Sequence, residues 1–538
     1  MKENSSSKKQ VSRVNKYFEV DHWVFWPASV LIVFFIVITL VIGKPMEEVF
    51  TNIQDSISQS GRWFFVLVMN IFLIFSLYIA FSKYGNIRLG GRNSRPEFKT
   101  ISWFAMLFSA GMGIGILFWS VGEPVLHFVN PPVGTARTVE SAQASMQYTF
   151  LHWGLHAWGV YALVGMSLAF FTFNKKLPLT ISSVFYPLMG ERINGKIGKT
   201  INVLAVVATL FGLATSLGLG VQQVSAGFNH LLDWPDTVWF QVLLIVVITL
   251  AATISVVSGL SNGVKRLSQL NIFLAGLFLI FIIIVGPSLF IFDSLVQNIG
   301  AYLQKFFELS FWTETYAQTD WQKGWTVFYW AWWISWSPFV GMFIARISRG
   351  RTLREFILGV LIVPTLLTFL WLSAFGGSAL FLELNGLADI GTAVQENVAT
   401  SLYTLLEQFP LGALSSVIGI ILVTSFFVTS SDSGSLVVDS LTAGGKLDAP
   451  VAQRIFWAVT EGAVAAVLLI GGGLGALQTA SIITGLPFAI VLLIMAYSLT
   501  KGLSQEHHQM MKYKQDKERK SYHEIIGEVI SKREKRKQ

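Results

Sequence analysis

The stretch Phe328-Tyr-Trp-Ala-Trp-Trp-Ile-Ser-Trp-Ser-Pro-Phe-Val-Gly341 puts four of the chain's 18 tryptophans within seven residues, in a run apolar enough to sit in a bilayer. At roughly 100° per residue, Phe328, Trp332, Trp336 and Phe339 share one helical stripe, with Trp333 at its edge and Trp330 opposite. On a single membrane helix the ordinary reading is an interfacial aromatic belt plus packing. Belt residues belong near helix ends, whereas Trp333 and Trp336 fall near mid-span. An aromatic wall at that depth suits a cation with no hydrogen to donate, and a quaternary ammonium is such a ligand.

The rest of the chain supports a membrane reading. Of 538 residues, 53% are hydrophobic and 13% charged, about half the charge of an average soluble protein. Apolar runs long enough to cross a bilayer recur from end to end. The first is preceded by a polar, basic leader without a small-residue cleavage site, unlike a signal peptide. The absence of cysteine removes disulfides, thiol nucleophiles and Cys-based metal sites. The net charge of +8 lies in short loops and in the tail, where topology places it, so nucleic-acid binding is not expected.

Twelve helical spans are expected, at approximately 23–43, 62–82, 101–121, 148–172, 201–231, 237–260, 269–292, 326–346, 355–376, 412–436, 453–472 and 476–500. Lys8, Lys9, Arg13 and Lys16 precede the first. Even-numbered loops carry Arg88, Arg92, Arg95 and Lys99, then Lys175, Lys176, Arg192, Lys196 and Lys199, then Lys265 and Arg266, then Arg346, Arg349, Arg351 and Arg354. Residues 377–411 have Glu383, Asp389, Glu396 and Glu407 but no Lys or Arg. Both termini and the even loops are therefore expected in the cytoplasm. Two long external connections, 293–325 and 377–411, read as amphipathic helices on the outer surface. The tail from Lys501 to Gln538 places Ile525, Ile526, Val529 and Ile530 at helical spacing. It reads as a solvated cytoplasmic helix, or as a regulatory element touching anionic lipid or the cytoplasmic loops.

Several spans carry unusual chemistry. Ser109-Ala-Gly-Met-Gly-Ile-Gly115 sets Gly111, Gly113 and Gly115 at alternate positions. Such glycines permit close helix packing. They also suit an unwound segment, whose freed carbonyls hold a cation while the next half-helix faces an anion. In span four, Trp153, Trp158 and Tyr161 cover an arc of about 140°. His152 and His156 have a metal-compatible spacing, but no acid accompanies them in the sequence, so structural hydrogen bonding is expected. Span ten ends in a hydroxyl cluster, Thr424 to Ser435, that can bond its own backbone or ligate a small cation. Asp432 is expected to pair with loop arginines, and Glu461 is a deeper acid of functional interest.

These residues resemble the betaine/carnitine/choline transporter family. The signature Trp-Ala-Trp-Trp-Ile-Ser-Trp-Ser-Pro-Phe-Val-Gly at 330–341 is complete, with Gly-Met-Gly-Ile-Gly at 111–115 and His152 to Tyr161 as further marks. The resemblance covers roughly residues 20–500 and implies an all-α fold of twelve spans. A cytoplasmic tail (1–22) and two extra helices (23–100) precede a five-plus-five inverted repeat. Its halves, 101–292 and 326–500, are joined by an external connector, 293–325, and a basic cytoplasmic tail (501–538) follows. It implies a substrate site of Trp153, Trp158, Tyr161 and Trp333 with Gly111, Met112, Gly113 and Gly115, and an access route along Phe328, Trp332 and Trp336. A sodium site is implied at Ser109, Met112, Phe426, Thr429 and Ser430. A second would use Thr209 and Phe339, but Leu213 stands where a further hydroxyl is expected.

Choline carriers of the family tend to have an acid at the last glycine of the motif, and sodium-independent exchangers place a basic group where the ion would be. Here the first is Gly115, and no Lys or Arg lies between Ile201 and Leu231. The expectation is a sodium-coupled importer of glycine betaine or a related trimethylammonium osmolyte, trimeric, in a bacterial plasma membrane. The alternatives are a proton-coupled choline or carnitine carrier and a membrane osmosensor. No nucleophile–base pair, redox motif or metal cluster suggests an enzyme.

Overall fold

The computed structural model of the chain describes residues 18–111, 113–257, 261–446 and 450–535. Met112 and most of the expected N-terminal tail lie outside them. Helices α1 (His22–Ile42) and α2 (Met46–Phe81) join through Gly43, which takes a φ of 66° that favours glycine. Next come α3 (Thr100–Gly111), α4 (Ile114–Val129), α5 (Val139–Trp153), α6 (Leu155–Ala169), the one-turn α7 (Tyr186–Met189), α8 (Lys196–Leu232), α9 (Val238–Val257) and α10 (Ser261–Val285). A connector of α11 (Ser288–Gln304), α12 (Phe306–Phe311) and α13 (Trp321–Gly324) leads to α14 (Thr326–Ile347) and α15 (Leu353–Leu384). Short α16 (Ile390–Glu396) and α17 (Ser401–Glu407) precede α18 (Gly412–Thr442), and α19 (Val451–Lys535) closes the chain.

Among the described residues, nine helices are long and apolar enough to cross a membrane, or ten when the bent pair α3 and α4 counts as one crossing. The chain is thus an all-α, multi-pass membrane protein. Two features separate ten from the expected twelve. The 22-residue α14 is long enough to cross, but its indoles and serines lower its hydropathy. And α19 is two helices, because Gly472 (φ 157°) and Gly473 (φ 59°) break it. Residue 471 lies against Thr39 and Phe50, while Gln453 meets Glu19 at one end and Ser498 meets Val184 at the other. The chain therefore turns back at the glycine pair.

The loops sort onto two faces. On one, Arg88 donates to the Gly350 carbonyl, Asn174 to the Arg88 carbonyl, and Arg351 to the Phe98 carbonyl. The tail joins this basic face, where Lys175 pairs with Glu506 at 2.6 Å and Arg92 lies over Tyr513. Beyond, Ile525, Ile526, Val529 and Ile530 are exposed. On the opposite face, Arg137 meets Glu383 at 3.2 Å and Arg62 meets Glu314 at 3.2 Å.

The structure departs from the expected connections in one respect. Residues 377–411 do not simply lie on the surface: Leu402, Tyr403, Leu405 and Leu406 of α17 are fully buried, and the Tyr403 hydroxyl donates to the Gln223 carbonyl of α8 at 3.0 Å. Their mixed composition reflects a segment that packs inward rather than onto a membrane surface.

Helix α14 is the core. Every residue from Thr326 to Pro338 is buried, whereas Trp23 and Trp239, at the edges of α1 and α9, are 73% and 72% exposed. Its tryptophans are therefore interior and not a belt. The helix can sit so close to α6 because Gly341 and Gly165 oppose each other. A Cβ at Gly341 would stand 2.5 Å from Val164 Cγ1 and 3.1 Å from the Gly165 nitrogen. Gly341→Val is expected to lower stability by about 1–3 kcal/mol through overpacking, read as a lower melting temperature in detergent.

Candidate functional site

The site begins where the third crossing breaks. Helix α3 ends at Gly111 and α4 starts at Ile114, their axes differing by 66°. Gly113 precedes α4 in an extended conformation and offers it no side-chain cap. The first turn of α4 therefore presents free amides and the positive end of its dipole. Three indoles converge on that turn. A Cβ at Gly115 would lie 2.6 Å from Trp332 Cη2 and 3.3 Å from Trp153 Cη2, and one at Gly113 would lie 3.9 Å from Trp336 Cη2. Only glycine at 115 admits the Trp332 ring.

The fourth crossing is also interrupted. Gly154 separates α5 from α6, and a Cβ there would meet the Phe150 carbonyl at 2.4 Å and Phe369 at 2.9 Å. The continuous span expected over 148–172 is thus two helices. The break sets Trp153 on one half-helix and Trp158 and Tyr161 on the other. Across from them, Trp333 lies 5.0 Å from Trp153 and 6.3 Å from Tyr161, both edge-on, and Trp158 packs on Tyr161 at 5.6 Å.

Trp332 stacks on Trp333 at 4.7 Å and also faces Trp153 at 6.3 Å, so the structure places this residue, expected on the route, in the wall itself. Phe328 stacks on Trp332 at 5.3 Å, while Trp336 lies one turn further along α14, next to Tyr161. Trp330 points away and stacks on His156. The Tyr161 hydroxyl and Trp336 Nε1 are buried without a hydrogen-bond partner among the described residues, which leaves two donors free beside the wall.

Behind Trp153 lies Glu123, which is not among the site residues expected from sequence. The third span was expected to end at 121, whereas α4 continues to Val129 and carries Glu123 into the interior. Glu123 is fully buried, and its carboxylate meets His152 Nδ1 at 2.6 Å, His127 Nε2 at 3.3 Å, Trp153 Nε1 at 2.7 Å and the Tyr329 hydroxyl. His152 thus does have an acid partner, supplied by another helix 29 residues away. The available signal was a lone acid in an otherwise apolar run, Val121-Gly-Glu-Pro-Val125.

On the basic side, a cavity of about 630 Å³ runs from Phe98 and Ser102 to Trp336 and Gly113. Ser109, Phe426, Thr429 and Ser430 line it, which brings the described members of the expected sodium set onto one space. Asn271 Nδ2 donates to Thr429 Oγ1 at 3.3 Å. Phe339 lines the same cavity, but Thr209 is not among its lining residues and donates to the Ala205 carbonyl of its own helix at 2.6 Å. On the acidic side, fully buried Trp119, Phe328 and Tyr329 cover the wall. The site is open to one face and closed to the other. Of the remaining acids, Asp432 pairs with Arg454 at 3.5 Å, and Glu461 accepts from Ser431 Oγ at 3.4 Å.

Residues 23–508 match the family described as betaine/carnitine/choline family transporter. Among its relatives, a glycine betaine/proline/choline transporter of Vibrio parahaemolyticus is 46% identical, over 91% of this chain and 91% of its own length. A glycine betaine transporter of Acinetobacter baylyi is 43% identical over 92% of this chain and 75% of its own. A glycine betaine transporter of Bacillus subtilis is 42% identical over 91% and 96%.

Proposed function

The chain belongs to the betaine/carnitine/choline transporter family, and from that premise we propose that it imports glycine betaine or a close trimethylammonium relative by sodium symport, for osmoprotection. The observation that carries this reading is the pairing of an indole wall with an uncapped helix start. Trp153, Tyr161, Trp332 and Trp333 offer π faces to a quaternary ammonium. The first turn of α4, with the free donors of Tyr161 and Trp336, suits the carboxylate at the other end of the same molecule. An acid at position 115 would repel that carboxylate, and the residue is glycine. The three relatives are each named as glycine betaine transporters, which agrees with this choice.

The coupling ion is sodium, held by Ser109, Met112, Phe426, Thr429 and Ser430 as α3 and α18 close on the cavity that separates them. One sodium rather than two fits Leu213, which stands where a second site would need a further hydroxyl. Within the bacterial plasma membrane the basic face is cytoplasmic, which makes the structure an inward-open state with both termini inside. Twelve spans form two extra helices and a five-plus-five inverted repeat, in a protein that works as a homotrimer, with the tail near anionic lipid.

The test is uptake of labelled glycine betaine by proteoliposomes. Accumulation is expected under an inward sodium gradient and not under a proton gradient in sodium-free medium, with betaine outcompeting choline and carnitine. Glu461, a fully buried acid whose Oε1 has no partner among the described residues, favours proton coupling as the second reading. Uptake driven by protons alone would select that reading and reject sodium symport.

A further inference from the structure

We propose that Glu123 is a positioning residue of the aromatic wall, an anchor whose carboxylate fixes the Trp153 indole that faces the substrate. The inference rests on the reading of that wall as the ammonium site. A carboxylate offers about four lone-pair positions, and four donors surround this one. His152 and His127 approach Oε1, while Trp153 Nε1 and the Tyr329 hydroxyl approach Oε2. His152 continues the chain outward, since its Nε2 meets Thr326 Oγ1 at 3.0 Å and its backbone carbonyl accepts from Trp333 Nε1 at 2.8 Å.

The Trp153 N–H is thus held by Glu123 directly, whereas the Trp333 N–H is held by the α5 backbone at His152 and does not depend on the carboxylate. An indole tethered by its N–H has lost rotation about its ring axis, so its π face stays turned to the cage. The anchor is shut in by further rings: Trp325 and Trp321 lie 4.3 and 4.8 Å from the His127 ring. Glu123, His127 and His152 are all fully buried, and an acid at that depth implies a function. Helix α4 therefore contributes twice to the site, its first turn facing the substrate and its third turn holding the wall.

The alternative role for a buried anion is direct attraction of the cation, and substitution separates the two. Glu123→Leu removes acceptors and charge together. Glu123→Gln removes the charge but can keep an acceptor on Trp153 and Tyr329, its amide facing histidines that can switch tautomer. In the full-length protein, E123L is expected to raise the Kd for glycine betaine about tenfold. E123Q should stay within about threefold of wild type, with the maximal rate and half-saturating sodium unchanged in both.

In a Trp153→Phe background, which has no N–H to anchor, E123L should add little, a coupling that a purely structural role would not produce. E123Q as weak as E123L, wild-type affinity in E123L, or additivity with W153F would each overturn the proposal. Should E123L fail to fold, Glu123→Asp carries the same cycle, because it withdraws the acceptors by one methylene. Near-ultraviolet circular dichroism of the substrate-free proteins gives an independent reading, since the E123L difference should vanish in W153F. Failure of the wild type to bind betaine would end the substrate reading, and the dichroism would still decide the anchor.

Discussion

Replacing Trp333 with leucine is expected to raise the Kd for glycine betaine about 30-fold, the factor that follows from losing about 2 kcal/mol of desolvated cation–π interaction. Leucine keeps the position apolar, so the effect isolates the π face. Trp333 is 3% exposed and stands between Trp153, Tyr161 and Trp332, so no other ring can swing into its place. Trp330→Leu is the matched control: it removes an indole three residues earlier that stacks on His156 instead. W330L should cost stability and leave the Kd within about twofold. Titration calorimetry on purified protein measures both, and equal losses in W333L and W330L would sink the cage.

The sequence disclosed most of the side chains at this site and little of the backbone that presents them. The tryptophan run was legible because indoles are unusual at mid-membrane, and the glycines because alternate glycines are poor helix formers. Trp332 is assigned to the route by the resemblance, and helix geometry gives no reason to expect adjacent residues to meet. Rings this large reach past that geometry, and Trp332 and Trp333 stack at 15°. Gly154 was unreadable as a break, since one glycine is common in a membrane helix and only the approach of Phe369 explains it. Glu123 was hidden differently. His127 is four residues on, at helical spacing, but the other partners lie 29, 30 and 206 residues away, and no periodicity in one chain connects those. The reversal at Gly472 and Gly473 was legible as a gap between the spans expected at 453–472 and 476–500.

The double substitution Thr429→Ala with Ser430→Ala is expected to raise half-saturating sodium at least about 100-fold, since each hydroxyl facing a cation contributes on the order of 1.5 kcal/mol or more. Both line the cavity opposite Ser109, and Thr429 also accepts from Asn271 on α10, so its loss loosens α18 against that helix. The two predictions differ in a way that linkage makes strict. If sodium and substrate favour the same conformation, each raises the other's affinity by one shared factor. W333L should weaken betaine at every sodium concentration and keep that factor. The hydroxyl pair should instead leave the sodium-free betaine Kd at its wild-type value and abolish the response to sodium. Betaine counterflow would then persist in proteoliposomes while sodium-driven accumulation disappears. A double variant that still accumulates betaine on a sodium gradient would place the coupling ion elsewhere, and the buried Glu461 of α19 would be the next residue to test.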